Sequence, residues 1–359
     1  MAERLPLSAL LSQALVAFTI EFDNEFEHRT PHRTTDYGST GGSAAAPWLV
    51  SMVIWIKYLR FVPDAGISVR ELGRIAALSN QEMKMWLSRL SKWWGYLVID
   101  TPGGKVQPTL GGLKALQVWR PLTGIIEERW RERFGADKID RLRKAMQSLV
   151  DQFDPELPDF LPILGYDMLS AGLSDGARPA THVAGQYTLP ILLAKALLAF
   201  ANRYEAESGL SLAISANVLR LAGANGTPTR DLPRLSGVSK EAVAMAVNRL
   251  EERGFATVRT ESKGSRVRML RLTSLGQHAR DSYFRVVWGI EKDWTAKFGS
   301  PVCDLRLALE RLAGENASHS LLFKGLEPYS DGWRASVPKR HALPHYPMIL
   351  HRGGFPDGS

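Results

Sequence analysis

Five cations, Arg259, Lys263, Arg266, Arg268 and Arg271, crowd the stretch 259–271 against a single acid, Glu261. The flanking segments ATVRTE and RVRMLRLT alternate in polarity around Ser262-Lys263-Gly264-Ser265, the pattern of a β-hairpin closed by a four-residue turn. Arg266 and Arg268 are two apart and are expected on one strand face. Cations gathered on a hairpin neutralise phosphates, and an Arg near the tip can enter a narrow minor groove. The competing reading is an edge strand that uses positive charge against aggregation. Just upstream, Ala242, Val243, Ala246, Val247 and Leu250 mark one face of a helix over 239–253. Its other face carries Lys240, Glu241, Ala244, Met245, Asn248 and Arg249. Lys240 can donate to guanine edges or phosphate, and Glu241 can accept from cytosine N4. Ala244 permits close approach, and Met245 can meet a thymine methyl. The same residues also fit the solvated side of an amphipathic helix; the cationic hairpin next door favours DNA reading.

The elements that position these residues follow from local signals. A helical stretch over 229–235 leads into a tight Ser236-Gly237-Val238 turn, and Ser239 is an N-cap for the next helix. Gly254 ends that helix. Helix, turn, helix and hairpin make a winged helix-turn-helix, whose second helix enters the DNA major groove. The chain also repeats itself. LSALLSQALVAFTIEFD (7–23) reappears as LPILLAKALLAFANRYE (189–205), and GISVRELGRIAALSNQEMKMWLSRL (66–90) faces GTPTRDLPRLSGVSKEAVAMAVNRL (226–250). Thr109/Thr273, Gly112/Gly276, Trp130/Trp294, Phe134/Phe298 and Gly135/Gly299 correspond, as do LPDFLPIL (157–164) and LPHYPMIL (343–350). A repeat this long implies one domain made twice and fused.

SGVSKEAVAMAVNRLEERGFATVR, followed by a basic hairpin ending RLTSLGQHA, resembles the MarR-type transcriptional regulators. The likeness covers 187–314 well and 5–153 more loosely. It implies homodimers whose first and last helices interlock above two DNA-reading lobes, and in this chain both lobes would sit in one polypeptide. The acidic-basic pair of the family's wing is altered, since Gly264 and Ser265 precede Arg266. Such regulators commonly respond to small aromatic or phenolic ligands, which makes a small aromatic effector an expected partner. Trp48, Trp55, Trp119, Trp130, Tyr283, Trp288 and Trp294 could line a pocket, although aromatics at helical spacing are more often core.

The expected fold is therefore mainly α, with two tandem winged helix-turn-helix domains packed as a pseudo-two-fold dimer through their terminal helices. Repeat 1 spans 1–153, with helices near 5–28, 47–61, 68–76, 79–94, 111–134 and 137–152. A linker rich in Pro, Gly, Ser and Asp spans 154–186. Repeat 2 spans 187–314, with helices near 187–207, 210–223, 229–235, 239–253, 274–297 and 301–314. A tail, 315–359, is expected to pack on the body through Trp333, Tyr346, Met348, Ile349 and Leu350. Leu10, Leu11, Ala14, Leu15, Phe18 and Phe22 form a wide apolar stripe that must be buried. In repeat 1 the reading positions are Asn80, Gln81, Lys84 and Arg89, and Gln81 could pair with adenine. Its wing, VIDTPGGKVQPT, carries only Lys105 as a cation, and Pro102 and Pro108 limit its strands. Trp86, Trp93 and Trp94 are expected to pack against protein. Repeat 1 thus reads a different half-site with a weak wing, or has lost DNA contact.

A net charge of +8 over 359 residues and a pI near 9.6 favour a polyanionic partner, double-stranded DNA. The lone Cys303 excludes an intrachain disulfide framework and suits a reducing cytoplasm; beside Asp304 it reads as an inert buried thiol. No leader pattern opens the chain, and its apolar stretches are too short or polar-studded to span a bilayer. A cytoplasmic, nucleoid-associated monomer acting as a pseudo-dimer is expected. His28 and His32 read as solvated loop residues, and His341, His345 and His351 lack carboxylate or Cys neighbours at ligand spacing. No phosphate-cradling glycine motif, HExxH, nucleophile elbow or paired-acid motif occurs. Neither enzymatic activity nor a metal or cofactor is expected. The alternative function is a tandem winged-helix interaction or architectural protein, as in chromosome partitioning or replication initiation, with one lobe binding protein.

Overall fold

A computed structural model describes residues 4–30, 32, 47–76, 80–100, 104–153, 157–161, 187–261, 266–314, 320–336 and 342–348, with the backbone alone at 80–82. Two series of elements follow one another in the same order. The first comprises α1 (Leu7–Arg29), α2 (Met52–Lys57), β1 (Ile67–Ser68), α3 (Val69–Ile75) and α4 (Asn80–Ser88), then β2 (Leu97–Asp100), β3 (Lys105–Pro108), α5 (Leu110–Phe134) and α6 (Ala136–Val150). The second comprises α7 (Leu189–Ser208), α8 (Leu212–Asn217), β4 (Thr227–Pro228), α9 (Leu232–Ser236) and α10 (Lys240–Glu252), then β5 (Ala256–Thr260), β6 (Arg268–Leu272), α11 (Ser274–Phe298) and α12 (Ser300–Ala313). A short α13 (Leu321–Lys324) follows in the tail. The fold is mainly helical. Its two antiparallel three-stranded sheets have the orders β1-β3-β2 and β4-β6-β5, each in the layout of a winged helix-turn-helix.

Local chemistry sets the lobe boundaries. The Ser239 hydroxyl accepts from Ala242 N–H at 3.2 Å and starts α10; Ser68 does the same for α3 through Glu71 N–H at 3.1 Å. Thr109 and Thr273 each do two jobs. Each caps a long helix through the glycine three residues on, at 2.9 and 3.2 Å. Each also donates to the carbonyl of the glycine that ended the preceding helix, at 2.7 and 2.8 Å. The Thr-x-x-Gly pairing has a steric cause. A Cβ on Gly112 would lie 2.1 Å from the Tyr96 carbonyl oxygen, and one on Gly276 1.9 Å from that of Phe255. Only glycine lets the long helix start this close to the wing.

The helical scaffold exchanges contacts between the two series. α1 packs on α7 and α6 on α12, while α1 also meets α12 and α7 meets α6. Arg306 of α12 pairs with Glu291 at 2.6 Å and donates to the Leu5 carbonyl at 2.8 Å, at the start of α1. Arg143 of α6 likewise pairs with Glu127 at 2.9 Å and donates to the Tyr187 carbonyl at 2.7 Å, at the start of α7. α1 is buried nearly all round, as a central helix must be.

α1 also buries a row of acids, each with a partner. Glu21 is held by both terminal nitrogens of Arg133, at 2.6 and 2.8 Å, and by the Trp130 indole at 3.0 Å. Asp23 accepts from Met52 N–H at 2.7 Å. Arg129 lies 2.8 Å from Glu25, and the Tyr329 hydroxyl donates to it at 2.6 Å. Glu27 takes the backbone N–H groups of Trp333 and Arg334. Burial by itself would raise the Glu25 carboxyl, but hydrogen bonds from Arg129, Tyr329 and Arg29 outweigh it and bring it to about 2. The segment 320–336 is thereby fastened along α1.

Several elements differ from the sequence expectation. The helix expected over 47–61 is α2 alone plus a 3-10 turn at Leu59–Phe61, broken where Tyr58 leaves helical geometry at φ −130°. The helix expected over 79–94 changes to a π-helical turn at Arg89–Trp93. The helix expected from 229 starts at Leu232 because Thr227 and Pro228 pair with β6. His32 has a side chain only 6% exposed beside Glu27, and the His28 ring stacks 3.8 Å from that of Tyr329, so neither is a free loop residue. Most of the linker over 154–186, the loop 33–46, and His341, Ile349, Leu350 and His351 in the tail lie outside the described residues. Among the described residues, no helix is long and apolar enough to cross a membrane.

Candidate nucleic-acid interface

α10 shows the expected division of faces. Ala242, Val243, Ala246, Val247 and Leu250 are buried, Lys240, Glu241, Ala244 and Asn248 are exposed, and Met245 and Arg249 are half-buried. Lys240 lies 3.7 Å from Glu241, and Arg249 3.2 Å from Glu252. Exposed pairs of this kind are worth little and leave both cations available to a polyanion. Glu251 fixes the helix to the wing by accepting the Val258 N–H at 2.7 Å.

The wing register redistributes its cations. Thr257 pairs opposite Arg271, Val258 opposite Leu270, Arg259 opposite Met269 and Thr260 opposite Arg268. Cross-strand partners share a face, so Arg259 and Arg271 lie diagonally on the outer face. The inner face carries Ala256 and Leu270, both buried, with Arg268 at its open end. β6 begins at Arg268, and Glu261 N–H donates to the Val267 carbonyl at 3.0 Å just before it, so Arg266 lies beyond the first residue of the strand. Sequence spacing could not find the Arg259–Arg271 diagonal, which depends on strand register. All four arginines are exposed, and among the described residues none has an ion-pair partner. Lys263 lies outside the described residues.

The first lobe is different. The positions matching Arg259 and Arg271 are Asp100 and Gln107, and Asp100 stands directly opposite Lys105 in the ladder. Lys84 is exposed on α4, while for Asn80 and Gln81 only the backbone is described. Arg89 sits in the π-helical turn, half-buried like Arg249, its guanidinium 5.3 Å from the Trp86 ring centre. Trp86 and Trp94 are buried, but Trp93 is 70% exposed, with Leu110 at 81% and Val98 at 48%. Trp93 is the last residue of the π turn, and the matching end of α10 is exposed as well, at Glu252 and Arg253.

The remaining aromatics divide as core and rim. Trp55, Trp119, Trp130, Tyr283 and Trp294 are buried, whereas Trp48 and Trp288 are half-buried. Trp288 borders a shallow groove with Lys292 and Thr295, and the guanidiniums of Arg4 and Arg306 lie 5.5 and 5.2 Å from its ring centre. Cys303, expected to be buried, is exposed, since α12 turns it away from Val302 and Leu305 in the core. Among the described residues no cluster of His, Cys, Asp and Glu is arranged to hold a metal.

The chain is thus mainly helical, with winged-helix sheets and one markedly cationic wing. It is similar to a solved structure described as a transcriptional regulator of the MarR family from Rhodococcus sp. RHA1, at 23% identity and a TM-score of 0.26, over 32% of this chain and 81% of that one. It is also similar to CouR from Rhodococcus jostii RHA1, solved bound to p-coumaroyl-CoA, at 23% identity and a TM-score of 0.25, over 33% of this chain and 85% of that one. No family model and no curated protein matches the chain.

Proposed function

We propose that the chain is a sequence-specific DNA-binding transcription regulator of MarR-like design, a cytoplasmic repressor without catalytic activity. In this reading, 1–153 and 187–314 are duplicated winged-helix domains fused into one polypeptide and packed as a pseudo-dimer through α1, α6, α7 and α12. The observation that carries it is the second lobe. A polar face of α10, with Lys240, Glu241, Ala244 and Asn248 exposed, lies beside a wing whose arginines have no ion-pair partner among the described residues. Lys240, Glu241, Ala244, Met245, Asn248 and Arg249 would face the major groove, with Arg259, Arg266, Arg268 and Arg271 on phosphates and the minor groove. Asn80, Gln81, Lys84 and Arg89 would read the other half-site.

Because fused lobes can diverge where identical subunits cannot, the operator is an imperfect inverted repeat with half-site centres about one helical turn apart. A small aromatic effector would modulate binding, and Trp288 and Trp48, both half-buried, could meet one. The exposed Trp93, Val98 and Leu110 beside a neutral wing favour a second reading of lobe 1, as a surface that binds protein. The test is an electrophoretic shift on the chain's own upstream intergenic DNA at two salt concentrations, with Arg259→Ala/Arg271→Ala alongside. Tight, salt-sensitive binding weakened by the double substitution supports the regulator. Binding no tighter than to competitor DNA, there and in a genome-wide pull-down, contradicts it.

A further inference from the structure

Two short segments occupy corresponding clefts by different chemistry. In 157–161, Asp159 is bound by Arg60 at 2.9 Å and by Lys195 of α7 at 3.2 Å. The Lys195 ammonium also donates to the Leu157 carbonyl, and Lys57, the last residue of α2, lies 4.7 Å from the centre of the Phe160 ring. The cleft among α1, α2 and α7 is left with about 20 Å³, room for one water. In 342–348, Ser12 of α1 donates to the Pro344 carbonyl at 2.7 Å. Asn217, the last residue of α8, donates to the Tyr346 carbonyl at 2.7 Å and accepts from His345 N–H at 3.1 Å. At Gly237, between α9 and α10, a Cβ would lie 2.4 Å from the Ala342 carbonyl oxygen. Leu157-Pro158-Asp159-Phe160 and Leu343-Pro344-His345-Tyr346 are the matching tetrapeptides, and Lys57 and Asn217 the matching helix ends. Each segment ties the lobe of one half to the first helix of the other.

We propose that the two clefts are equivalent binding sites for a Leu-Pro-x-aromatic segment, and that the resident segments are latches fixing each lobe against the opposite half. The proposal rests on the reading of two corresponding halves and does not require DNA binding. Filler would be apolar, yet both occupants bring desolvation with them. Lys57, Lys195 and Asp159 are buried, and a buried ion cluster gains little over its hydrated, separated state. His345 is half-buried, and its buried Nδ1 has no hydrogen-bond partner among the described residues, which costs the closed state further. Both terms lower the cost of releasing the segments. Release frees a lobe to move on the 3-10 turn at Leu59–Phe61 or at Leu219–Leu221.

The test places spin labels at Lys84→Cys and Ala244→Cys in a Cys303→Ser background and measures the label-to-label distance distribution by pulsed dipolar spectroscopy. Asp159→Asn, which keeps side-chain volume, Phe160→Ala and Tyr346→Ala should each broaden a narrow distribution while helical content stays the same. An acetylated LPDFLPIL peptide should narrow the Phe160→Ala distribution again. Should Phe160→Ala lose its cooperative melt, Asp159→Asn carries the peptide arm. Unchanged distributions in Asp159→Asn and Tyr346→Ala, or no narrowing by the peptide, overturn the latches. Broadening in a protein that binds no DNA in any form leaves the latches standing and removes the regulator.

Discussion

Arg259 and Arg271 differ from Arg266 and Arg268 in sharing the outer face of the wing, and among the described residues neither has an ion-pair partner. Replacing both with Ala should lower the slope of log affinity against log salt by about two, since each lost phosphate contact removes roughly 0.9. Their exposure predicts a stability change within about 0.5 kcal/mol, to be checked by denaturant titration of the same variant. His345 makes a prediction about pH. Burial, followed by the nearby Arg220, lowers it to about 3, so the folded chain holds it neutral. The unfolded state takes up its proton first, so the contribution is intact above about pH 6.5 and is lost as pH falls towards 3. At pH 5 the loss is about 2 kcal/mol. His345→Gln should flatten that window in a stability–pH profile, and an unchanged slope between pH 6.5 and 5 would refute the assignment. Glu25, held near 2, titrates in a separate window between about 4.5 and 2, where its contribution is lost in acid.

The elements of the second lobe were legible in the sequence because their signals are local. Ser239 caps, Gly254 stops and the strands alternate within a few residues of one another. β1 and β4, two residues each, carry no periodicity, and only pairing with β3 and β6 makes them strands. The Arg259–Arg271 diagonal needed the register. The acids of α1 were illegible for another reason: Tyr329, Trp333 and Arg334, which hold Glu25 and Glu27, are some three hundred residues away. Two glycines test the packing of elements. Gly276→Ala places a methyl against the Phe255 carbonyl and should destabilise the second lobe by about 1–3 kcal/mol. Gly325→Ala meets the Glu21–Arg133 pair, with a Cβ 2.1 Å from Glu21 Oε1, and should loosen the tail from α1. Hydrogen exchange separates the two, with faster exchange in 227–273 for the first and in 320–336 for the second; the reverse assignment would contradict the packing described.

At the scale of the whole molecule, the two series share an order of elements and a pattern of exchanged helix-start contacts, yet present unlike surfaces. Arg306 holds the start of α1 and Arg143 holds the start of α7, so each half closes on the other. One wing is cationic; the other sets Asp100 against Lys105 and leaves Trp93 and Leu110 in solvent. A single chain should therefore bind one operator as a unit and protect its halves unequally. The most direct measurement is a hydroxyl-radical footprint on an operator selected from random DNA, with stoichiometry determined on the same complex. The account predicts one chain per site, two protected patches about one helical turn apart, and weaker protection under the lobe with the neutral wing. Two chains per site with equal protection of a perfect palindrome would contradict it.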